Sequence, residues 1–208
     1  MKKENKTKLA SILWSMAYLL AAAAIIVSSI SIVNSLSFEM IYVSGSSMNP
    51  TLSGNPTDCD YGTIDKSYGA KKSLKRFQIV TTYYPQDTAS YKIKRVMALP
   101  GETFKVVNND YYIYDKETSS WGEKLVLNFE RNLGDTKNYG PYTLKNDEYF
   151  VVGDNYGHST DSFAVGPISF SLLTGVLVRL EGRCTVDGQG NIVEKRPYET
   201  RYFLGVDY

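Results

Sequence analysis

The sequence predicts a mainly β protein with an antiparallel core, preceded by one transmembrane helix. Two observations lead to this expectation. Residues 9–38 form a run of 30 positions without a charged side chain. Beyond Glu39, short segments rich in Val, Ile, Tyr, Phe and Thr alternate with turns rich in Gly, Asn and Asp. A chain of 208 residues has room for one ordinary domain with a small insert.

The N-terminal run predicts a membrane anchor. At about 1.5 Å rise per residue, 22 of its residues would span the ~30 Å hydrocarbon core as a helix. We expect the span at residues 10–33. Residues 1–8 contain four lysines and one glutamate, and such a cluster keeps the N-terminus in the cytoplasm. Residues 1–9 would then be cytoplasmic and residues 39–208 would lie outside the plasma membrane.

A cleaved signal peptide is the alternative reading of the same segment. Its apolar region is usually about 7–15 residues long. A cut at the small residues 21–24 would leave the apolar stub Ile25, Ile26 and Val27 on the product, which favours a permanent anchor. Residues 28–37 also contain small residues, so this alternative stays open.

The rest of the chain reads as short strands. Val-, Ile-, Tyr- and Phe-rich runs with turns between them favour an antiparallel barrel or sandwich over alternating βα units. The runs are Met40–Val43, Ile79–Tyr84, Tyr91–Val96, Thr103–Val107, Tyr111–Tyr114, Lys124–Phe129, Tyr149–Val152 and Val176–Leu180. Residues 53–76 are polar and read mainly as loop. Ser169–Thr174 is a weak candidate for a second helix, and residues 108–145 read as an insertion.

Composition excludes several classes of function. A formal charge of +1 argues against nucleic-acid binding through a basic face. A single His excludes mechanisms that need several, and two cysteines exclude a zinc cluster; we expect no cofactor and no metal. A disulfide between Cys59 and Cys184 is chemically allowed outside the membrane, but it depends on a distance that sequence does not give.

Three separated motifs carry the chemistry. The first, Ser44–Leu52, is a small-residue turn of the kind that lets a carbonyl approach a serine nucleophile. The second, Tyr91–Glu102, places Lys92 and Lys94 on one face of a strand, where desolvation would lower the pKa of a lysine and let it accept a proton. Alone, each motif is more often an ordinary turn or a solvent-facing strand.

The third motif, Gly153–Ser162, follows an apolar strand and suits a tight loop that bonds to its own backbone. Ser159 could exchange a hydrogen bond with an amine, and Asp161 could brace the loop. A calcium loop is a rival reading of its oxygen-bearing side chains, although their spacing does not match an EF-hand.

Together the three motifs resemble those of bacterial type I signal peptidases, membrane-bound Ser–Lys endopeptidases that remove signal peptides. The resemblance rests on SxxSMxPTL after the anchor, then KRVxxLPGE, then GDN…SxDS, and it covers most of the chain in order. It implies a signal-peptidase-like antiparallel β catalytic core with a small inserted β subdomain at about 104–147. It also implies Ser47 as the nucleophile and Lys94 as the general base.

The same resemblance assigns supporting roles. Ser159 would orient the lysine amine, Asp161 would hold the surrounding loop, and Met48 would help to shape shallow pockets for a small-x-small cleavage sequence. The Ser47 backbone N–H is one oxyanion donor. Where some relatives add a hydroxyl two residues before the nucleophile, this chain has Gly45, so backbone donors suffice or a neighbouring serine substitutes.

The chain departs from the family pattern at a few positions. Lys92 stands where many relatives have an aromatic residue, Tyr156 and Phe163 stand where they often have arginine, and Ala98 replaces a common glycine. None of these removes a catalytic atom, but a second lysine on the same face could repel Lys94 or compete with it.

Other readings stay open at this stage. His158 invites a Ser–His–Asp triad with Ser47 and Asp161. LexA-like self-cleavage domains also use Ser and Lys, although the anchor disfavours them. A non-catalytic or narrow-specificity relative acting in pilus or surface-protein assembly is the main alternative function. The partners implied are preprotein substrates, the lipid bilayer and the secretion translocon.

Overall fold

A computed structural model describes residues 2–127 and 129–202. One compact unit ends at Phe38 and a second begins at Glu39. The first is the helix α1, Lys2–Ser37, in which Ile12–Ser37 is long and apolar enough to cross a membrane. Its 26 residues would measure about 39 Å along the axis, which exceeds the ~30 Å hydrocarbon core.

The second unit is mainly β, as the sequence predicts. The described residues form strands β1–β13 and two further short helices. The strands are β1 Phe38–Tyr42, β2 Gly54–Asn55, β3 Asp58–Asp65, β4 Ile79–Tyr84, β5 Asp87–Ala98, β6 Thr103–Val107, β7 Asp110–Asp115, β8 Ser120–Lys124, β9 Tyr139–Thr143, β10 Glu148–Val152, β11 Ile168–Ser169, β12 Leu173–Val186 and β13 Ile192–Tyr202; the helices are α2 Tyr68–Lys72 and α3 Ser162–Val165.

The larger sheet has the order β1-β3-β12-β4-β5-β10-β11, with β2 added on β3 and β13 on β12. The long strand β12 organises it, because it pairs antiparallel with β4 through its first residues and with β3 through the rest. Strand β5 pairs with β4 along its length but with β10 only from Arg95 onward. The first half of β5 therefore keeps one edge free of any strand that the structure describes.

The smaller sheet has the order β8-β7-β6-β9. It lies within the segment for which the sequence predicts an insertion, and an aromatic core joins it to the larger sheet. Phe104 packs 4.7 Å, centroid to centroid, from Phe150, and Tyr139 lies at the same distance from Phe150. Burying such rings on both sides of the junction fixes the two sheets as one domain.

A separate apolar cluster lies beneath the first motif. Met48 and Leu52 are buried against Ile64 and Ile79 from β3 and β4. These buried side chains hold the motif on the domain, while Ser44 and Ser46 are exposed and Ser47 is half-buried.

Three sequence expectations are wrong. Residues 53–76 are not mainly loop, because they contain the buried strand β3, whose Asp60 accepts the Ser53 N–H at 2.7 Å and pairs with Arg183 at 3.3 Å. The strand expected at Lys124–Phe129 ends at Lys124, and Asn128 lies outside the described residues. The helix expected at Ser169–Thr174 is a single 3₁₀ turn, because β12 begins at Leu173.

Cys59 and Cys184 form a disulfide, which the sequence left open. They face each other in the register of β3 and β12, with their Cα atoms 4.9 Å apart, and both are fully buried. The bond joins positions 125 residues apart in the chain.

Replacing both cysteines by alanine should lower the free energy of unfolding by about 2–5 kcal/mol, because the bond restricts the unfolded chain over a long loop. Urea unfolding of the full chain in detergent, followed by circular dichroism, measures the difference. A reductant should lower the stability of wild type and leave the double variant unchanged. An oxidised wild type no more stable than the double variant would contradict the expectation.

Candidate active site

The first motif forms a tight turn whose shape depends on two glycines. Gly45 has φ of +82°, a region that side-chain-bearing residues rarely adopt, and its N–H donates to Gly54 O at 3.2 Å. A Cβ atom at Gly54 would collide with the Gly45 carbonyl. The close approach of these two backbones explains why glycine stands at both positions.

Ser47 lies at the top of this turn, half-buried and on the wall of a cleft. Its backbone N–H donates to no residue that the structure describes. That N–H is therefore free to bind an oxyanion formed next to the Ser47 hydroxyl. Ser44 lines the same cleft, whereas the lining does not include Ser46.

Lys94 reaches Ser47 from strand β5. Its backbone pairs with Val80 of β4, and the residue is only 3% exposed. The Lys94 Nζ atom lies 2.8 Å from Ser47 Oγ and donates to Ile93 O at 2.9 Å. The second motif thus brings the Lys94 amine into hydrogen-bond contact with Ser47 of the first motif, 47 positions earlier in the chain.

Burial determines the charge of this amine. The pKa of Lys94 is lowered to about 8, mainly by desolvation. Among the nearby charges, the Asp161 carboxylate raises the pKa, the charge on Lys92 lowers it and Asp154 raises it. A lysine in this environment is largely neutral in mildly alkaline solution, and a neutral amine can accept a proton from an adjacent hydroxyl.

Asp161 closes the loop of the third motif. Its Oδ2 accepts the Gly153 N–H at 2.9 Å, and its Oδ1 accepts the Phe163 N–H at 3.1 Å where it caps helix α3. Gly153 itself approaches the Ser44–Leu52 turn so closely that a Cβ atom there would collide with the Ser47 carbonyl. The loop is therefore packed directly against Ser47.

Asn155 fastens the two segments together, a contact that the sequence analysis missed. Its backbone N–H donates to Ser47 O at 3.0 Å, and its side-chain Nδ2 donates to Ser46 O at 3.0 Å. Asn155, which lies 109 positions from Ser46, thus fixes the carbonyls on either side of the Ser47 N–H. No periodic pattern in the sequence predicts this contact. An Asn that follows a buried strand indicates only that its side chain will form hydrogen bonds to the backbone of a loop.

A buried ion pair ties the second motif to the third, and this was also missed. The Arg95 guanidinium donates to both carboxylate oxygens of Asp154, at 2.8 Å through Nε and 2.6 Å through Nη2. Arg95 also donates to Phe77 O and stacks 3.9 Å from the Phe129 ring centroid. An arginine inside an apolar strand and an aspartate after another were the available signals.

Two other residues singled out from the sequence are not bonded to the pair. Ser159 Oγ is buried and has no hydrogen-bond partner among the described residues, Lys94 included. His158 is exposed, and its ring makes no hydrogen bond to any described residue. The carboxylate that a triad would need, Asp161, is already bonded to two backbone N–H groups.

Two of the departures from the family pattern lie in the aromatic core. The Tyr156 hydroxyl is within 3.0 Å of both the Tyr111 hydroxyl and Arg131 Nη1. Phe163 packs edge-on against Phe150, with centroids 5.2 Å apart. These side chains therefore stabilise the third motif through packing rather than through an added charge.

The cleft beside Ser47 has a volume of about 550 Å³. One wall is the first half of β5, which has one edge unpaired, and the other comes from the end of β1 and the Ser44–Leu52 turn. Its lining includes Tyr42, Val43, Ser44, Met48, Tyr83, Ser90, Tyr91, Lys92 and Ile93. A groove between strand edges, with a serine hydroxyl and a buried amine at its base, can hold an extended peptide.

The fold and the Ser47–Lys94 contact together indicate a class of enzyme. An antiparallel β domain with a serine hydroxyl in contact with a buried lysine amine has the arrangement of serine hydrolases that use lysine as the base. Residues 13–180 match the family described as signal peptidase, peptidase S26. The chain belongs to this family.

Curated relatives agree with this assignment. Signal peptidase I of Bacillus amyloliquefaciens is 31% identical over 77% of this chain and 82% of its own length. Signal peptidase I S and signal peptidase I V of Bacillus subtilis (strain 168) are 32% and 31% identical, covering 78% and 77% of this chain and 84% and 95% of their own lengths. A crystal structure of a signal peptidase I from Enterococcus faecalis V583 matches 50% of the chain at 26% identity, with a TM-score of 0.41.

Replacing Asp154 by leucine should lower the free energy of unfolding by about 3–5 kcal/mol, because it leaves the Arg95 charge buried without a counter-ion. Urea unfolding of the full chain in detergent measures the loss. Adding Arg95→Met to that variant should restore much of the stability, since the unpaired charge is then gone. A double variant whose loss equals the sum of the single losses would contradict a direct coupling.

Proposed function

We propose that this protein is a membrane-anchored serine endopeptidase that removes signal peptides from exported preproteins, with Ser47 as nucleophile and Lys94 as general base. The observation that carries the proposal is the 2.8 Å contact between Lys94 Nζ and Ser47 Oγ, in which the amine is almost fully withdrawn from solvent. Family membership supports the removal of signal peptides, and the contact supports the choice of these two residues.

Catalysis begins with proton transfer within this pair. Neutral Lys94 takes the hydroxyl proton as Ser47 Oγ attacks the scissile carbonyl, and the resulting ammonium returns a proton to the leaving amine. The acyl-enzyme is then hydrolysed by water, with Lys94 again serving as base. The negative charge of each tetrahedral intermediate is bound by the free Ser47 N–H, and the Ser44 hydroxyl is available as a second donor.

The substrate binds as an added strand. The free edge of β5 before Arg95 offers backbone groups to an extended chain in the cleft. Side chains that point down meet Val43, Met48 and Ile93, so small apolar residues fit best before the cut. A small-x-small sequence places two such residues on one face of the added strand, because side chains alternate with a period of two.

The apolar helix fixes where the reaction occurs. In the chain, strand β1 follows directly after Ile12–Ser37. With the lysines of residues 1–8 holding the N-terminus in the cytoplasm, the catalytic domain faces the outside of the plasma membrane. Preproteins reach it there as their signal peptides leave the secretion translocon. The bilayer is a further partner, because it holds the anchor of the enzyme.

Lys94→Met should reduce cleavage about 10²–10⁴-fold, the contribution usual for a general base, and Ser47→Ala should abolish it because no hydroxyl is left to attack the scissile carbonyl. His158→Ala is the matched control and should keep nearly full activity, because the exposed ring bonds to neither residue. The assay is cleavage of a preprotein with a small-x-small site by the full chain in detergent. A folded wild type that cleaves nothing would favour the non-catalytic alternative, and an active Lys94→Met with an inactive His158→Ala would refute the Ser–Lys assignment.

The rate should rise with pH and level off above about pH 8, because the base must be neutral and burial lowers the pKa of Lys94 to about 8. The profile of kcat/KM reports this group in the free enzyme. Below the pKa the protonated fraction dominates, so log(kcat/KM) should gain about one unit per pH unit. An acid limb with its midpoint at about pH 6.5, the ordinary pKa of histidine, would contradict lysine as the base.

A further inference from the structure

A second lysine lies in the cleft two residues before the base. Lys92 and Lys94 both line the cleft wall formed by β5, and their spacing puts the two side chains on one face of the strand. Positions two apart on a strand are separated by about 7 Å. With both side chains on this face of the strand, the charge of Lys92 acts on the Lys94 amine and favours its neutral form.

Lys92 is held in place by its neighbours. Its Nζ atom pairs with Asp87 Oδ2 at 2.8 Å and donates to Ser90 Oγ at 2.7 Å. The hydrogen bond from Lys92 is also the largest influence on the pKa of Asp87, which it lowers. The Lys92 charge therefore occupies a defined position in the cleft rather than moving freely in solvent.

Several charges act on the buried amine of Lys94. Asp161 faces it from the loop before α3, and Asp154 faces it from the end of β10; both favour the protonated form. Asp154 is partly neutralised by its bidentate partner Arg95. On β4 the directly opposed residue is the apolar Val80. Lys92, on the same strand, opposes the two carboxylates.

We propose that Lys92 is a positioning residue whose positive charge adds to the effect of burial in favouring the neutral, proton-accepting form of Lys94, while Asp87 limits how strongly that charge acts. The proposal rests on the proposed function of Ser47 and Lys94, which it deepens. It gives the Lys92–Asp87 pair a task in catalysis that a solvent-facing ion pair would not have.

Two charge-changing variants should move the activity profile in opposite directions. Lys92→Met removes the cation and leaves Asp87 unpaired, so Lys94 should keep its proton to higher pH. The midpoint of the acid limb of kcat/KM should therefore move up by roughly half a pH unit. Such a rise reduces the rate at pH 7 about threefold. Asp87→Asn leaves the cation unopposed and should lower the acid limb.

Matched variants separate this effect from structural damage. Lys92→Arg keeps the charge and should keep the wild-type acid limb. Lys124→Met removes the same charge from the smaller sheet, where Lys124 is exposed, and should leave the profile unchanged. A structural role for Lys92 would lower the rate without moving the limb, and would not give shifts of opposite sign for Lys92→Met and Asp87→Asn.

The decisive readout does not depend on turnover. The full chain is labelled with [ε-¹³C]lysine and studied by NMR in detergent micelles, and the Lys94 signal is assigned by its loss in Lys94→Met. Its titration midpoint should lie at higher pH in Lys92→Met and at lower pH in Asp87→Asn than in wild type. Unchanged or same-direction titrations would overturn the proposal. If wild type cleaves no preprotein, the proposed function fails, while the titration of Lys94 still decides the role of Lys92.

Discussion

The contact between the Lys94 amine and the Ser47 hydroxyl is the interaction on which the rest of the site depends. A lysine in water is protonated at neutral pH and cannot act as a base. Here strand β5 carries the side chain into the domain until only 3% of the residue is exposed, and withdrawal from water favours the uncharged amine. The surrounding structure can be understood as what holds this amine in place and tunes its charge.

Holding the pair together requires contacts between segments that are distant in sequence. The Ser44–Leu52 turn receives hydrogen bonds from Asn155 and accommodates the close approach of Gly153. The loop that supplies both residues is closed by Asp161 and joined to strand β5 by the Arg95–Asp154 pair. Because each support touches the next, a change in any of them should displace the serine relative to the lysine.

Much of this arrangement could be predicted from the sequence, since its signals are local. The charge-free N-terminal run, the apolar strands and the alternation that places Lys92 and Lys94 on one face of β5 can all be read from continuous stretches of the sequence. The strand β3 was missed because its buried Asp60 reads as a loop residue until its partners Ser53 and Arg183 are known. Strand β13 was missed because it is a charged strand paired along the edge of β12.

The remaining features depend on distances that no local pattern contains. Cys59 meets Cys184 because β3 pairs with β12, and Asn155 reaches Ser46 through a contact between a loop and a turn; each contact joins residues more than a hundred positions apart. The predicted bond from Ser159 to the lysine amine is the converse case. The motif brings Ser159 close to Gly153 beside the Ser47 carbonyl, but its hydroxyl has no partner among the described residues, so its role in orienting the amine stays a prediction.

The most direct measurement is the capture of the acyl-enzyme. Wild-type full chain in detergent, incubated near pH 9 with a small-residue peptide ester and quenched in acid, should carry the acyl group on Ser47 when its peptides are sequenced by mass spectrometry. Lys94→Met treated in the same way should carry none. Acylation at another residue, or equal acylation of Ser47 in the Lys94→Met variant, would contradict activation of Ser47 by the buried amine.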